Sequence, residues 1–76
     1  MGKMPALTAK EVLRALLRAG FYVFHQRGSH VQLRHPGHPL ARVTIPFHTN
    51  FDLPPEVASS IIKQAGISRD EFLKLL

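Results

Sequence analysis

The 76-residue sequence has no cysteine and only five acidic residues, against ten lysines and arginines. Without cysteine, disulfides, thiolate metal ligands and a cysteine nucleophile are excluded. No apolar run reaches the roughly 18 residues of a membrane-spanning helix, and the N-terminal residues show no secretion signal, so we expect a cytoplasmic protein. No glycine-rich phosphate loop follows a predicted strand, which argues against a nucleotide-binding α/β enzyme.

The composition that is present is typical of one small packed domain. Hydrophobic residues make up 45% of the chain, which is too large a share for a disordered basic tail. A chain of this length is expected to form one domain over 1–76, with 1–6 as a short N-terminal tail. The net charge of +5 indicates a polyanion or an acidic protein as the partner.

Capping signals predict three helices. Thr8 suits the N-cap of the first helix, which Gly20 is placed to end. Pro55 suits the first turn of a second helix. Ser68 suits the N-cap of a short third helix over 69–76, and both predicted caps have a glutamate three residues later, as a capping box requires.

Three segments between the first two helices have the composition and alternation of strands: 21–27, 30–34 and 41–45. The dipeptide 28–29 suits a two-residue hairpin turn, and the breaker-rich segment 35–39 is expected to be a loop. We therefore predict an α+β fold in the order α-β-β-β-α(α), with a three-stranded antiparallel sheet and helices packed on one face. This order, on a basic chain, is typical of double-stranded-RNA-binding domains.

The open face of this sheet is predicted to be polar. Alternation turns apolar side chains toward the helices and leaves the others in water, namely His30, Gln32, Arg34, Arg42 and Thr44.

Two further surfaces are less determined by the sequence. In the first strand, Phe21 and Phe24 are expected in the core, while the side taken by Tyr22 stays open because strand register is easily misjudged by one residue. A basic stripe on the first helix is either a solvated face or an edge that contacts phosphates, and its members are Lys10, Arg14 and Arg18.

Three short motifs occur in a fixed order: Gly28-Ser29-His30, Ile45-Pro46-Phe47-His48 and Lys63-Gln64-Ala65-Gly66-Ile67-Ser68. With these motifs, the chain over 7–76 resembles the HicA-type toxins of bacterial and archaeal toxin–antitoxin pairs. The resemblance implies a double-stranded-RNA-binding-like fold that works as a ribonuclease on messenger RNA and stops growth. It also implies a HicB-type antitoxin, encoded by the neighbouring gene, as the inhibitory partner.

The resemblance implies that His30 is the catalytic residue and that His48 matches the family's second histidine. RNA supplies its own nucleophile, the 2′-hydroxyl, so cleavage needs an acid, a base and positive charge near the phosphate, but no metal or other cofactor. Histidine can serve as either acid or base. From the residues alone, His30 fits a hydrogen-bonding surface residue beside a turn, and the motifs are what favour a catalytic role. His48 is either a second acid–base group or an anchor of its loop.

The residues expected to bind RNA lie near His30 in sequence, on its predicted face or on the first helix. Arginines can hold phosphate oxygens, and the Ser29 hydroxyl can bond a phosphate or only the turn backbone. The predicted RNA-binding set is Arg27, Gly28, Ser29, Gln32, Arg34, Arg42, Lys10 and Arg14.

Alternatives to a ribonuclease follow from the same composition. One is a non-catalytic RNA-binding module, and another is an adaptor that binds an acidic protein; DNA binding is least favoured, because 55–76 carries few basic residues. No metal site is expected, because His35 and His38 have no carboxylate or thiolate nearby. If the chain is a toxin, we expect an acidic antitoxin to cover the His30 face.

Overall fold

The computed structural model of the protein describes residues 6–47 and 52–76. In chain order its elements are α1 (Ala9–Arg18), β1 (Tyr22–Arg27), β2 (His30–His35), β3 (His38–Pro46), α2 (Pro55–Ala65) and α3 (Arg69–Leu75). The strands form one antiparallel sheet in the order β1-β2-β3. The predicted α+β fold is confirmed, whereas the predicted tail lies outside the described residues except for Ala6.

Both ends of α1 are held as the sequence predicts. The Thr8 hydroxyl accepts the Glu11 N–H at 3.2 Å, and the Glu11 carboxylate accepts the Thr8 N–H at 2.9 Å, which completes a capping box. At the other end, Gly20 has a φ of 98°, and the Phe21 N–H donates to the Leu16 carbonyl at 3.0 Å. This Schellman arrangement turns the chain from α1 directly into β1.

The two C-terminal helices also follow their predicted signals. Pro55 occupies the first turn of α2, and Gly66 ends that helix in a left-handed conformation with a φ of 74°. Ser68 and Glu71 form a second capping box at the start of α3.

The core lies between one face of the sheet and the three helices. Its strand residues are inward-facing on β2 and β3, where Leu33, Val43 and Ile45 are at most 1% exposed. Leu16 of α1 and Phe72 of α3 are fully buried against them. The described helices pack on this inner face, and on the opposite face His30, Gln32 and Arg42 are exposed.

The turn between β2 and β3 is tighter than the sequence suggests. The predicted loop over 35–39 is wrong, because β2 continues to His35, β3 begins at His38, and the two residues pair. Only the dipeptide 36–37 is left to make the turn. Pro39 is tolerated inside β3 because β3 is an edge strand, where a missing N–H does not break the ladder.

His35 ties this turn to the end of α1. Its Nδ1 accepts the Gly37 N–H at 2.9 Å, and its Nε2 lies 2.9 Å from the Ala19 carbonyl oxygen. Since Nδ1 accepts, the proton of the neutral ring sits on Nε2 and is donated to Ala19. The ring also packs edge-on against Phe21, with centroids 4.9 Å apart. His35 is therefore a structural residue.

The aromatic residues at the start of β1 divide between the two sides of the sheet. Phe21 is buried, as predicted. Tyr22, whose side the sequence left open, pairs with Arg34 and is 46% exposed. Since directly opposed residues share a face, Tyr22 lies on the outer face with Arg34.

The predicted core position of Phe24 is wrong. Val23 pairs with Leu33 and His25 pairs with Gln32, so Phe24 has no partner on β2 and forms a β-bulge. Its ring is 53% exposed, and the Arg34 guanidinium carbon lies 4.0 Å from the ring centroid. The bulge therefore brings Phe24 against the outer-face Arg34 in a cation–π contact.

Candidate nucleic-acid interface

The outer face of the sheet gathers polar and basic side chains from β1 and β2. His30 pairs with Arg27, and Gln32 pairs with His25. Directly opposed residues in an antiparallel sheet point to the same face, and diagonal neighbours lie about 7–8 Å apart. These four side chains therefore form one block beside the turn at 28–29.

His30 begins β2 immediately after that turn. Gly28 has a φ of 57°, which the two-residue turn requires, and the Phe47 N–H donates to the Ser29 carbonyl, which holds the chain after β3 against the turn. The His30 side chain is exposed. Among the described residues, neither the His30 ring nor the Ser29 hydroxyl has a hydrogen-bond partner, so both can meet a ligand.

Two further arginines extend the block along the sheet. Arg34 lies on the outer face of β2 against Phe24. Arg42 is exposed on β3 between Ala41 and Val43, which both pack into the core, so alternation turns Arg42 outward. Thus Arg27, Arg34 and Arg42 all lie on the face that carries His30.

The charge of this sheet has one sign. Residues 21–47 contain three arginines and four histidines, but no aspartate or glutamate. A surface with cations and no anion attracts polyanions and acidic proteins over a long range. The five acidic residues of the chain all lie outside this segment, at Glu11, Asp52, Glu56, Asp70 and Glu71.

The basic stripe of α1 does not belong to this face. Val12 and Leu16 point into the core, and Lys10 and Arg14 each lie two positions from Val12, on the opposite side of the helix. Arg18 donates a hydrogen bond to a backbone carbonyl at the end of α3. The predicted RNA-binding set is therefore divided between the outer sheet face and the far side of the helical layer.

Two features of the outer face were missed from the sequence. The sequence shows that His25 lies near His30 only if β1 is aligned with β2 across the turn at 28–29. Phe24 carries no such signal, because no glycine marks its bulge. His48 lies outside the described residues, so its role as acid–base group or loop anchor remains a prediction.

The other described histidines and the helices offer neither a metal site nor a membrane span. Within 6–47 and 52–76, no group of three or more His, Asp or Glu side chains is arranged to hold a metal ion. His35 is occupied by its own hydrogen bonds, and His38 lies against it with ring centroids 4.8 Å apart. In the same ranges, no helix has the length and apolar character needed to cross a membrane.

Most of the chain matches a known protein family. Residues 9–67 match the family described as HicA toxin of bacterial toxin-antitoxin. The matched segment begins with α1, contains the complete sheet and α2, and ends before α3. A search of curated protein sequences gave no match. Since the family match covers well over half of the chain, the protein belongs to the HicA toxin family of bacterial toxin–antitoxin systems.

Proposed function

We propose that this protein is the toxin of a type II toxin–antitoxin pair and that it cleaves messenger RNA in the cytoplasm. Family membership supports the toxin role. The observation that carries the ribonuclease role is the position of His30: exposed, without a partner among the described residues, and on a basic sheet face that contains no carboxylate.

The proposed reaction uses the nucleophile that RNA carries. The 2′-hydroxyl attacks the adjacent phosphorus, a bond from O2′ to phosphorus forms, and the bond from phosphorus to O5′ breaks. A base takes the proton of the 2′-hydroxyl, and an acid donates a proton to the departing O5′. His30 acts as one of these two groups, and no metal or other cofactor is needed.

The arginines and His25 complete the proposed site. Arg27 and Arg34 lie on the same face as His30 and suit the phosphate oxygens, on which negative charge accumulates during the reaction. Arg42 extends the same positive surface along the strand. His25 is diagonal to His30, within reach of the same phosphate, and with His48 it is a candidate for the second proton-transfer group.

The proposed inhibitory partner is an acidic HicB-type antitoxin that covers the His30 face. Because 21–47 contains no carboxylate, an acidic partner meets no like charge on this sheet. Covering the face blocks RNA binding and cleavage together.

A non-catalytic RNA-binding module is the second candidate. It is favoured by Tyr22 and Phe24, two exposed aromatic residues that lie beside Arg34 on the outer side of the sheet. Modules that bind unpaired RNA stack its bases on such rings and on arginine planes. This candidate predicts RNA binding without any cleavage.

Controlled expression in a bacterial host separates the candidates. Wild type, His30→Ala and a matched control, His38→Ala, are induced while growth and RNA integrity are followed together. His38 is exposed like His30, but it is the first residue of β3 and lies beside the turn at 36–37, far along the sheet from the turn at 28–29. We expect arrest with RNA breakdown for wild type and the control, and neither for His30→Ala. Arrest without RNA breakdown would favour the binding module, and equal toxicity of all three would remove His30 as the catalyst.

A further inference from the structure

β1 is the strand that the fold covers least. All six of its residues are exposed. Three successive residues of β1 expose large hydrophobic side chains: Tyr22 and Val23 are each 46% exposed, and Phe24 is 53% exposed. Among the described residues no strand pairs with the edge of β1 that faces away from β2. An apolar run on an open edge is the feature that soluble proteins usually avoid.

β3, at the other edge of the same sheet, is protected against pairing with a further strand. On β3, the Thr44 N–H donates to the Gln64 side-chain oxygen of α2 at 3.1 Å, so a helix residue satisfies a backbone group of that edge. β3 also contains Pro39 and Pro46, which have no N–H to offer. β1 contains neither proline nor lysine, and its bulge at Phe24 is its one irregularity.

The exposed apolar residues of β1 lie on both faces of the sheet. Tyr22 and Phe24 are associated with outer-face Arg34, whereas Val23 pairs with Leu33 and is directed to the inner face. RNA bases stacked on the outer face would cover Tyr22 and Phe24 and leave Val23 in water. A strand added beside β1 covers all three, because its own side chains alternate between the two faces.

We propose that the free edge of β1 binds an extended strand of the antitoxin, which continues the sheet by one strand. The proposal rests on the antitoxin partner of the proposed function. The strand expected to fit has apolar side chains opposite Val23 and Phe24 and acidic side chains near Arg27 and Arg34, because this sheet carries cations and no carboxylate. The paired backbones supply affinity, and the alternate side chains supply specificity.

This mode of binding also explains how an edge contact inhibits the site. Neighbouring strands lie about 4.8 Å apart, so an antitoxin strand beside β1 is only two strand spacings from β2 and His30. The antitoxin chain that continues from such a strand is held next to the outer face. β1 then anchors the antitoxin, and the residues around His30 stay available to RNA until the antitoxin binds.

The test compares two lysine substitutions of similarly exposed apolar residues. Val23→Lys places a charge on the edge of β1, and Leu17→Lys, at 44% exposure on α1, is the matched control. The probe is the purified HicB-type antitoxin of the proposed function, whose gene the family resemblance places beside this one. We expect Val23→Lys to weaken its binding by about tenfold or more, and Leu17→Lys to leave it unchanged. Both variants should cut RNA at the wild-type rate.

Hydrogen exchange supplies a second readout that does not depend on activity. In the wild-type complex, amides of β1 that point away from β2 should become protected from exchange. Unchanged binding by Val23→Lys, or no new protection in β1, would overturn the proposal. Loss of RNA binding by Val23→Lys with antitoxin binding intact would assign the edge to RNA instead. A wild type that cuts no RNA, yet binds the antitoxin with β1 protected, would contradict only the ribonuclease proposal.

Discussion

β3 and β1 are the two edge strands of one sheet, but within residues 6–47 and 52–76 the chain covers the edge of β3 and leaves that of β1 open. α2 lies along β3, and Gln64 bonds its backbone. The inward residues of β3 belong to the core, whereas every residue of β1 is exposed. The two edge strands therefore differ in what they contribute to the protein. β3 contributes to the stability of the isolated domain, and β1 presents a surface that a second molecule can complete.

The largest predicted difference between the two edges is in their contribution to stability. Ile45→Ala on β3 removes a fully buried side chain and should lower the free energy of unfolding by about 2–5 kcal/mol. Val23→Ala on β1 removes an exposed one and should change it by no more than about 0.5 kcal/mol. Urea denaturation of both variants measures the difference. Equal losses would mean that β1 is as much part of the folded core as β3.

The next largest effect concerns the glycines at the two ends of β1. At Gly20, with a φ of 98°, an added Cβ would lie 2.7 Å from His35 Nε2, whereas Gly28, with a φ of 57°, has nothing within 4 Å. Gly20→Ala should cost about 1–3 kcal/mol, since it combines backbone strain with a clash against His35. Gly28→Ala is the control and should cost less, because it introduces strain alone. Thermal or urea unfolding of the pair checks the order, and a reversed order would contradict the close packing of His35 against Gly20.

A smaller effect tests the cover on β3. Gln64→Ala removes the acceptor for the Thr44 N–H and should cost about 0.5–1.5 kcal/mol. Gln64→Glu keeps an oxygen at this position and should retain most of the stability. Sedimentation of the alanine variant should also show more self-association, because a second edge is then open. If Gln64→Ala and Gln64→Glu have the same stability, the hydrogen bond is not what covers the edge.

The sequence predicts the elements whose signals are local. Each capping box, at Thr8 and at Ser68, joins residues only three positions apart, and the glycine after α1 acts on the helix next to it. The sequence therefore predicts all three helices correctly. The strand alternation of β2 and β3 likewise placed His30 and Gln32 on the open face, because one side of each strand is apolar.

The sequence fails where a residue's surroundings depend on another strand. Phe24 is aromatic and looks like a core residue, but a bulge that arises from pairing with β2 leaves it in water. His35 and His38 lie in a breaker-rich segment, yet their pairing closes the turn to two residues. Lys10 and Arg14 form a real basic stripe, but only the packing of α1 shows that it faces away from His30.

Cleavage of a defined RNA by the purified protein is the decisive test of His30 as the group that transfers a proton. Wild type, His30→Ala and His38→Ala, each shown to be folded, are incubated with the RNA in excess EDTA, and initial rates are compared. We expect wild type and His38→Ala to cleave at similar rates, and His30→Ala to be slower by about 100-fold or more. Cleavage by His30→Ala at the wild-type rate, or no cleavage by wild type, would show that His30 does not catalyse RNA cleavage.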